Sequence, residues 1–152
     1  MRTRYLVLLG LAALLLGACG SDTPPSAKIT QFQLPVGGNH PRELVAGPDG
    51  NIWFTENEGN KIGRITPQGM ITEFPLSTAQ SWPRGITKGT DGAVWFTEQG
   101  TGRIGRITPQ GAITEFPLPN ANSNPYGITA GPKGTLWFTE QYIDSIARLT
   151  RP

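Results

Sequence analysis

Histidine and cysteine occur once each in the 152 residues, as His40 and Cys19. One cysteine forms no intrachain disulfide, and one histidine offers no paired metal-ligand spacing. Charge is scarce too: Asp, Glu, Lys and Arg together make up 16% of the chain, with no basic run. Setting aside Arg2 and Arg4, which belong to a leader, leaves eleven basic against eleven acidic residues. A neutral chain carries no electrostatic footprint for nucleic acid, and none is expected as a partner. Long apolar runs are missing except for Leu6 to Leu16. At about 1.5 Å per residue that run crosses only about half of a ~30 Å hydrocarbon core, so no transmembrane helix is expected. No Ser/His/Asp arrangement, no cysteine nucleophile and no phosphate-cradling glycine loop is present. Abundance lies in glycine and proline, 20 and 14 residues. Without a period that composition would suggest disorder; here both recur at fixed offsets and read as turn residues.

Residues 1–18 read as a secretory signal peptide: a charged start, a short apolar run, then small residues. Leu16-Gly17-Ala18-Cys19 resembles a bacterial lipobox, which implies cleavage before Cys19 and lipidation of its thiol. Several acyl chains hold a protein at a membrane stably. Gly20 to Lys28 reads as a flexible tether, completing a segment 19–28. The expectation is an exported lipoprotein anchored to the membrane on its periplasmic or extracellular side.

From residue 29 onward the chain is periodic. Gly47-Pro48-Asp49-Gly50-Asn51-Ile52-Trp53-Phe54-Thr55-Glu56 returns forty-two residues later as Gly89 to Glu98, and again as Gly131 to Glu140. Tryptophan falls at 53, 95 and 137. Each period holds four strand-like runs, Arg42–Gly47, Asn51–Glu56, Lys61–Thr66 and Met70–Pro75 in the first. Pro48-Asp49-Gly50 and Pro67-Gln68-Gly69 supply turns. In the second run Ile52 and Phe54 point one way and Trp53 the other, so both faces are apolar. That suits a small sheet stacked between two others, as in a propeller blade. Four strands in about 40–45 residues is also propeller spacing.

Asn60 to Leu76, following Trp53-Phe54-Thr55-Glu56, and Pro125-Tyr126-Gly127-Ile128-Thr129 resemble the repeats of the virginiamycin B lyase (streptogramin lyase) family. The resemblance covers residues 29–152. It implies a seven-bladed β-propeller that opens cyclic streptogramin B antibiotics by Mg²⁺-dependent elimination. This chain offers only three repeats. Ile29-Thr30-Gln31-Phe32-Gln33-Leu34 aligns with Ile71 to Leu76, so a fourth-type strand arrives first and the last repeat lacks its own. The expected fold is an all-β array of three four-stranded 42-residue blades, either an incomplete ring or half of a six-bladed homodimer exchanging edge strands.

Glu56, Glu98 and Glu140 recur in every repeat, which assigns them to the repeat rather than to a single active constellation. Facing positions pair Glu56 with Lys61 and Glu98 with Arg103 across the hairpins, and Trp53, Trp95 and Trp137 with Arg64, Arg106 and Arg148. Function is sought instead where the copies differ. Aligned loop positions hold His40, Trp82 and Asn124; then Arg42, Arg84 and Tyr126; then Glu43 against two glycines. With Tyr142 from the second type of loop, Arg42, Glu43, Trp82, Arg84, Asn124 and Tyr126 compose the candidate binding set for a small molecule or peptide at the loop face. The family resemblance places a catalytic histidine after the proline of a Pro-His-Gly/Ala-Ile-Thr stretch; this chain has Arg42, Arg84 and Tyr126 there. An arginine is always charged and cannot take a proton as base. His40 is the candidate base, with Glu43 or Glu58 beside it, and Mg²⁺ enters as cofactor if the lyase reading holds. Three readings stay open: a binding module, a carbon–oxygen lyase, and a truncated remnant of a seven-bladed propeller.

Overall fold

The computed structural model describes residues 26–35 and 39–150. The expected signal peptide and the expected lipidation of Cys19 lie outside the described residues. The chain divides after Gln31. In the first part, residues 26–31 are exposed and carry no helix or strand. Among the described residues no helix is long and apolar enough to cross a membrane.

The second part is three antiparallel sheets. β1 (Pro41–Ala46), β2 (Ile52–Glu56), β3 (Lys61–Ile65) and β4 (Ile71–Pro75) pair in chain order as blade one. β5 (Pro83–Lys88), β6 (Val94–Glu98), β7 (Arg103–Ile107) and β8 (Ile113–Pro117) repeat that order as blade two. β9 (Pro125–Ala130), β10 (Leu136–Glu140) and β11 (Ser145–Leu149) form a three-stranded blade three. The inner strands β1, β5 and β9 adjoin in series, and the ring stays open. The expected leading strand over 29–34 does not form: residues 32–34 join none of the three sheets. Phe32 nonetheless covers Gly69 as Phe74 covers Gly111, the same glycine one blade on.

The hairpins close as their turn residues demand. Gly50 sits at φ 77°, a conformation a side chain resists. Gly63 and Gly105 lie opposite Phe54 and Phe96, and a Cβ at either would strike that ring. Apolar residues on both faces then fill the gaps between blades. Trp53 and Ile62 of blade one pack with Ile86, Val94, Phe96 and Ile107 of blade two. Trp95 and Ile104 of blade two pack with Leu136 and Phe138 of blade three. Each such side chain contributes about 1.5–3 kcal/mol by leaving water.

Polar links tie each sheet to itself. Asp49 accepts the Trp53 indole N–H at 2.9 Å, and Asp91 accepts that of Trp95 at 3.1 Å. Burial pushes the Asp49 carboxyl up, but hydrogen bonds from Trp53 and Asn51 outweigh it and hold the group below its ordinary value. Arg64, Arg106 and Arg148 lie 5.4, 5.8 and 5.6 Å from the centroids of Trp53, Trp95 and Trp137, as their facing positions require. Phe74 and Phe116 stack on Trp53 and Trp95 at 5.5 and 5.6 Å. Blade three departs from this pattern. Lys133 replaces the turn aspartate, and Trp137 is 36% exposed where Trp53 and Trp95 are sealed.

The expected hairpin ion pairs need correction. Glu56 does face Lys61 and Glu98 does face Arg103. The Lys61 ammonium, however, goes to Glu73 on the next strand, at 2.7 Å. Glu56 and Glu98 are wholly buried, and burial, with the neighbouring Glu73 or Glu115 charge behind it, raises each carboxyl to about 7. Facing positions across one hairpin do not reveal that a third strand supplies a better-placed carboxylate.

Candidate functional site

The inner strand of each blade carries an irregularity where the register skips two residues: 42–43, 84–85 and 126–127. A bulge bends the strand and re-aims its side chains, and it frees backbone groups from the ladder. The threonine of each Trp-Phe-Thr-Glu unit answers that need. Thr55 accepts the Glu43 N–H at 3.2 Å, Thr97 the Gly85 N–H at 2.9 Å, and Thr139 the Gly127 N–H at 3.0 Å. The same hydroxyls donate across to the next blade, Thr55 to the Arg84 carbonyl and Thr97 to the Tyr126 carbonyl, both at 2.8 Å. These clasps fix the bulges at the positions where the copies differ most.

Just before each inner strand the chain turns through a left-handed residue: His40 at φ 45°, Trp82 at 47° and Asn124 at 55°. Asparagine tolerates that region, whereas a bulky tryptophan there is strained. Backbone bonds to the loop between the second and third strands hold the turn. The N–H groups of Asn57, Gln99 and Gln141 donate to the carbonyls of His40, Trp82 and Asn124 at 3.2, 3.3 and 3.1 Å. The two kinds of loop therefore zip together in every blade, and each presents a different side chain at its apex.

Between blades two and three these loops enclose a recess of about 250 Å³. Trp82 and Tyr142 face it with exposures of 49% and 76%, alongside Gln99, Asn122 and Asn124. Asn124 is almost fully buried; its amide N–H₂ donates to the Gln141 side-chain oxygen at 3.4 Å, and its own Oδ1 makes no hydrogen bond. Two aromatic faces and several amides suit a ligand with both apolar and hydrogen-bonding groups. Deeper along the inner strands, the Arg84 guanidinium lies 3.9 Å over the Tyr126 ring. That stack holds a cation in a fixed pose on the inner wall.

The other candidates are placed elsewhere. His40 Nδ1 lies 2.7 Å from a Glu58 carboxylate oxygen, with both side chains more than half exposed. Arg42 and Glu43 line a hollow of about 370 Å³ with Phe32, Leu44, Ile52 and Ile71 on the open face of blade one. The structure thus joins Trp82, Asn124 and Tyr142 in one recess, pairs Arg84 with Tyr126, and leaves Arg42 and Glu43 on an uncovered blade face. Sequence reasoning missed Gly100, Ala121 and Asn122 in the recess lining, because small and turn residues carry no chemical signal of their own. Among the described residues, no group of three or more His, Cys, Asp or Glu side chains could hold a metal ion.

Residues 19–152 match the family model described as the virginiamycin B lyase family. The chain is similar to the virginiamycin B lyase of Staphylococcus aureus, at 51% identity and a TM-score of 0.80, over 82% of this chain and 42% of that one. A catalytically inactive histidine-to-alanine form of that lyase with quinupristin aligns at 50% identity and a TM-score of 0.81, over 84% and 43%. A streptogramin B lyase structure aligns at 40% identity and 0.74, over 82% and 45%. The chain spans less than half the length of each of these proteins.

Proposed function

The chain belongs to the virginiamycin B lyase family, and from that premise we propose that it is a binding module of the cell envelope that holds a streptogramin B-like cyclic depsipeptide at its loop face. One observation carries the reading: the recess between Trp82 and Tyr142, with the Gln99 and Asn122 amides beside it. Flat aromatic walls take the apolar side chains of such a ring, while Gln99, Asn122 and Asn124 meet its amides. The lipobox-like stretch Leu16-Gly17-Ala18-Cys19 supports an anchored location outside the cytoplasmic membrane. Titration calorimetry with quinupristin tests this. Binding by the parent chain that falls at least tenfold in Trp82→Ala supports it; equal affinity in both refutes it.

A second reading, carbon–oxygen lyase activity, rests on the His40–Glu58 contact at 2.7 Å. A carboxylate on Nδ1 fixes the imidazole tautomer and leaves Nε2 free to take a proton. Mg²⁺ has no ready-made cage here, since the described donors beside His40 amount to one carboxylate contact, so no step is assigned to it. Incubation with quinupristin and mass spectrometry decides between the readings. An opened ring that disappears in His40→Ala establishes the lyase; an intact ring with measurable binding leaves the binding module.

A further inference from the structure

The loop that carries Trp82 is held in a shape its own sequence does not favour. Gln80 and Trp82 both lie in the left-handed region, at φ 56° and 47°. Strained backbone of this kind persists only where its surroundings over-determine it. Side chains from two blades do so here, and neither lines the recess. Asn60, at the end of the loop between β2 and β3, grips the Trp82 loop along its length. Its carbonyl accepts the Leu76 N–H at 3.0 Å, and its amide N–H₂ donates to the Thr78 carbonyl at 2.9 Å. Its Oδ1 accepts the Ser81 N–H at 2.8 Å. Glu115, on β8 of blade two, holds the start of the same loop. Its carboxylate accepts the Ser77 hydroxyl at 3.0 Å and the Thr78 hydroxyl. Ser81 closes the loop on itself by donating to the Thr78 carbonyl at 2.8 Å. Gly100 supplies the floor: a Cβ there would lie 2.2 Å from the Gln80 carbonyl and 3.0 Å from the Trp82 ring. The indole thus rests against Gly100 while staying half exposed at the recess.

We propose that Asn60 and Glu115 are positioning residues for the recess: they act through Trp82, fixing the pose of its indole and with it the affinity for a ligand. The inference rests on the reading of the recess as a binding site. A wall that is already in its bound pose loses less freedom when the ligand arrives, and affinity gains accordingly. Burial pushes the Glu115 carboxyl up, but hydrogen bonds from Thr78 and Ser77 outweigh it and hold the group below its ordinary value. It therefore stays an acceptor for both hydroxyls at neutral pH. The facing wall of the recess, the loop before β9, is held otherwise. Gly102 stands at the position of Asn60 there, and a Cβ on it would lie 2.2 Å from the Ala121 carbonyl. One wall is bracketed by side chains, the other laid on backbone. A substitution at Asn60 or Glu115 accordingly loosens the Trp82 wall alone.

Asn60→Gly and Glu115→Ala, each in the full chain, test the bracket and its consequence separately. Asn60 sits at φ 53° and Gly102 at φ 59°, so glycine fits that backbone and the first variant should fold normally by circular dichroism. Without ligand, the amides of residues 77–82 should exchange hydrogen about tenfold faster in each variant, with β6 and β7 unchanged. Unchanged exchange in that loop refutes the bracket. By titration calorimetry, each variant should bind quinupristin about fivefold more weakly than the parent chain. Asn60→Gly should cost no further affinity in a Trp82→Ala background, because its effect passes through that indole. An equal loss in both backgrounds, or no loss in the parent background, overturns the positioning role. A parent chain that binds no quinupristin defeats the depsipeptide reading instead, and the exchange measurement still decides the bracket.

Discussion

Replacing Glu98 with glutamine separates two accounts of the repeated glutamate. If Glu98 were the anionic half of a hairpin ion pair with Arg103, its charge would stabilise the fold. In the structure it is 0% exposed and its carboxyl is raised from 4.5 to about 7 by burial first, with the Glu115 charge adding and the Thr101 hydrogen bond and the Arg103 charge only partly offsetting. Below pH 4.5 the group is protonated whether the chain is folded or not, and no penalty arises. Between pH 4.5 and about 7 the unfolded chain gives up its proton first, so stability falls as pH rises. Above about 7 the folded protein carries a buried charge costing up to about 3 kcal/mol, at about 1.4 kcal/mol per pH unit. A neutral amide in Glu98→Gln removes that cost but weakens the contact with Thr101, worth about 1 kcal/mol. The variant should be about 2 kcal/mol more stable than the parent at pH 8.5 and about 1 kcal/mol less stable at pH 4.5. Denaturant melts at the two pH values read both signs. A variant destabilised more at pH 8.5 than at pH 4.5 would restore the ion pair and refute the buried-acid account.

Thr97→Val keeps the shape but strands the Gly85 N–H and the Tyr126 carbonyl, so it should cost about 2–4 kcal/mol in denaturant melts. Thr139→Val breaks one bond at an exposed site and should cost less than about 1 kcal/mol. Trp95→Ala empties a sealed inter-blade core and should cost about 3–5 kcal/mol, whereas Trp137→Ala, at a site 36% exposed, should cost less than half as much.

The period made most of this fold legible. Strand bounds fall within a residue of the sequence reading in every blade, because Pro and Gly at fixed offsets leave few positions where the chain can turn. The Trp–Arg contacts were legible for the same reason, since a four-residue loop sets the register of a hairpin. Contacts beyond one hairpin were not. Glu73 takes Lys61 from the next strand, and the threonine clasp depends on a bulge that no local pattern announces. The segment 29–34 has the pattern of an edge strand, but a pattern cannot supply the edge it must pair with. At the loops, divergence between copies singled out Trp82, Asn124 and Tyr142, which do share a recess. The left-handed backbone under Trp82 was invisible, because tryptophan is among the last residues a rule would place there.

The central claim is that the shared Trp-Phe-Thr-Glu units build the blades and that the ligand is met where the copies differ. Hydrogen-exchange mass spectrometry with and without saturating quinupristin tests it directly. Protection should appear in residues 80–84, 99–101, 121–126 and 141–144, and be absent from the outer strands β4 and β8. Protection confined to those outer strands, or to the turns at 48–50 and 90–92, would contradict the account.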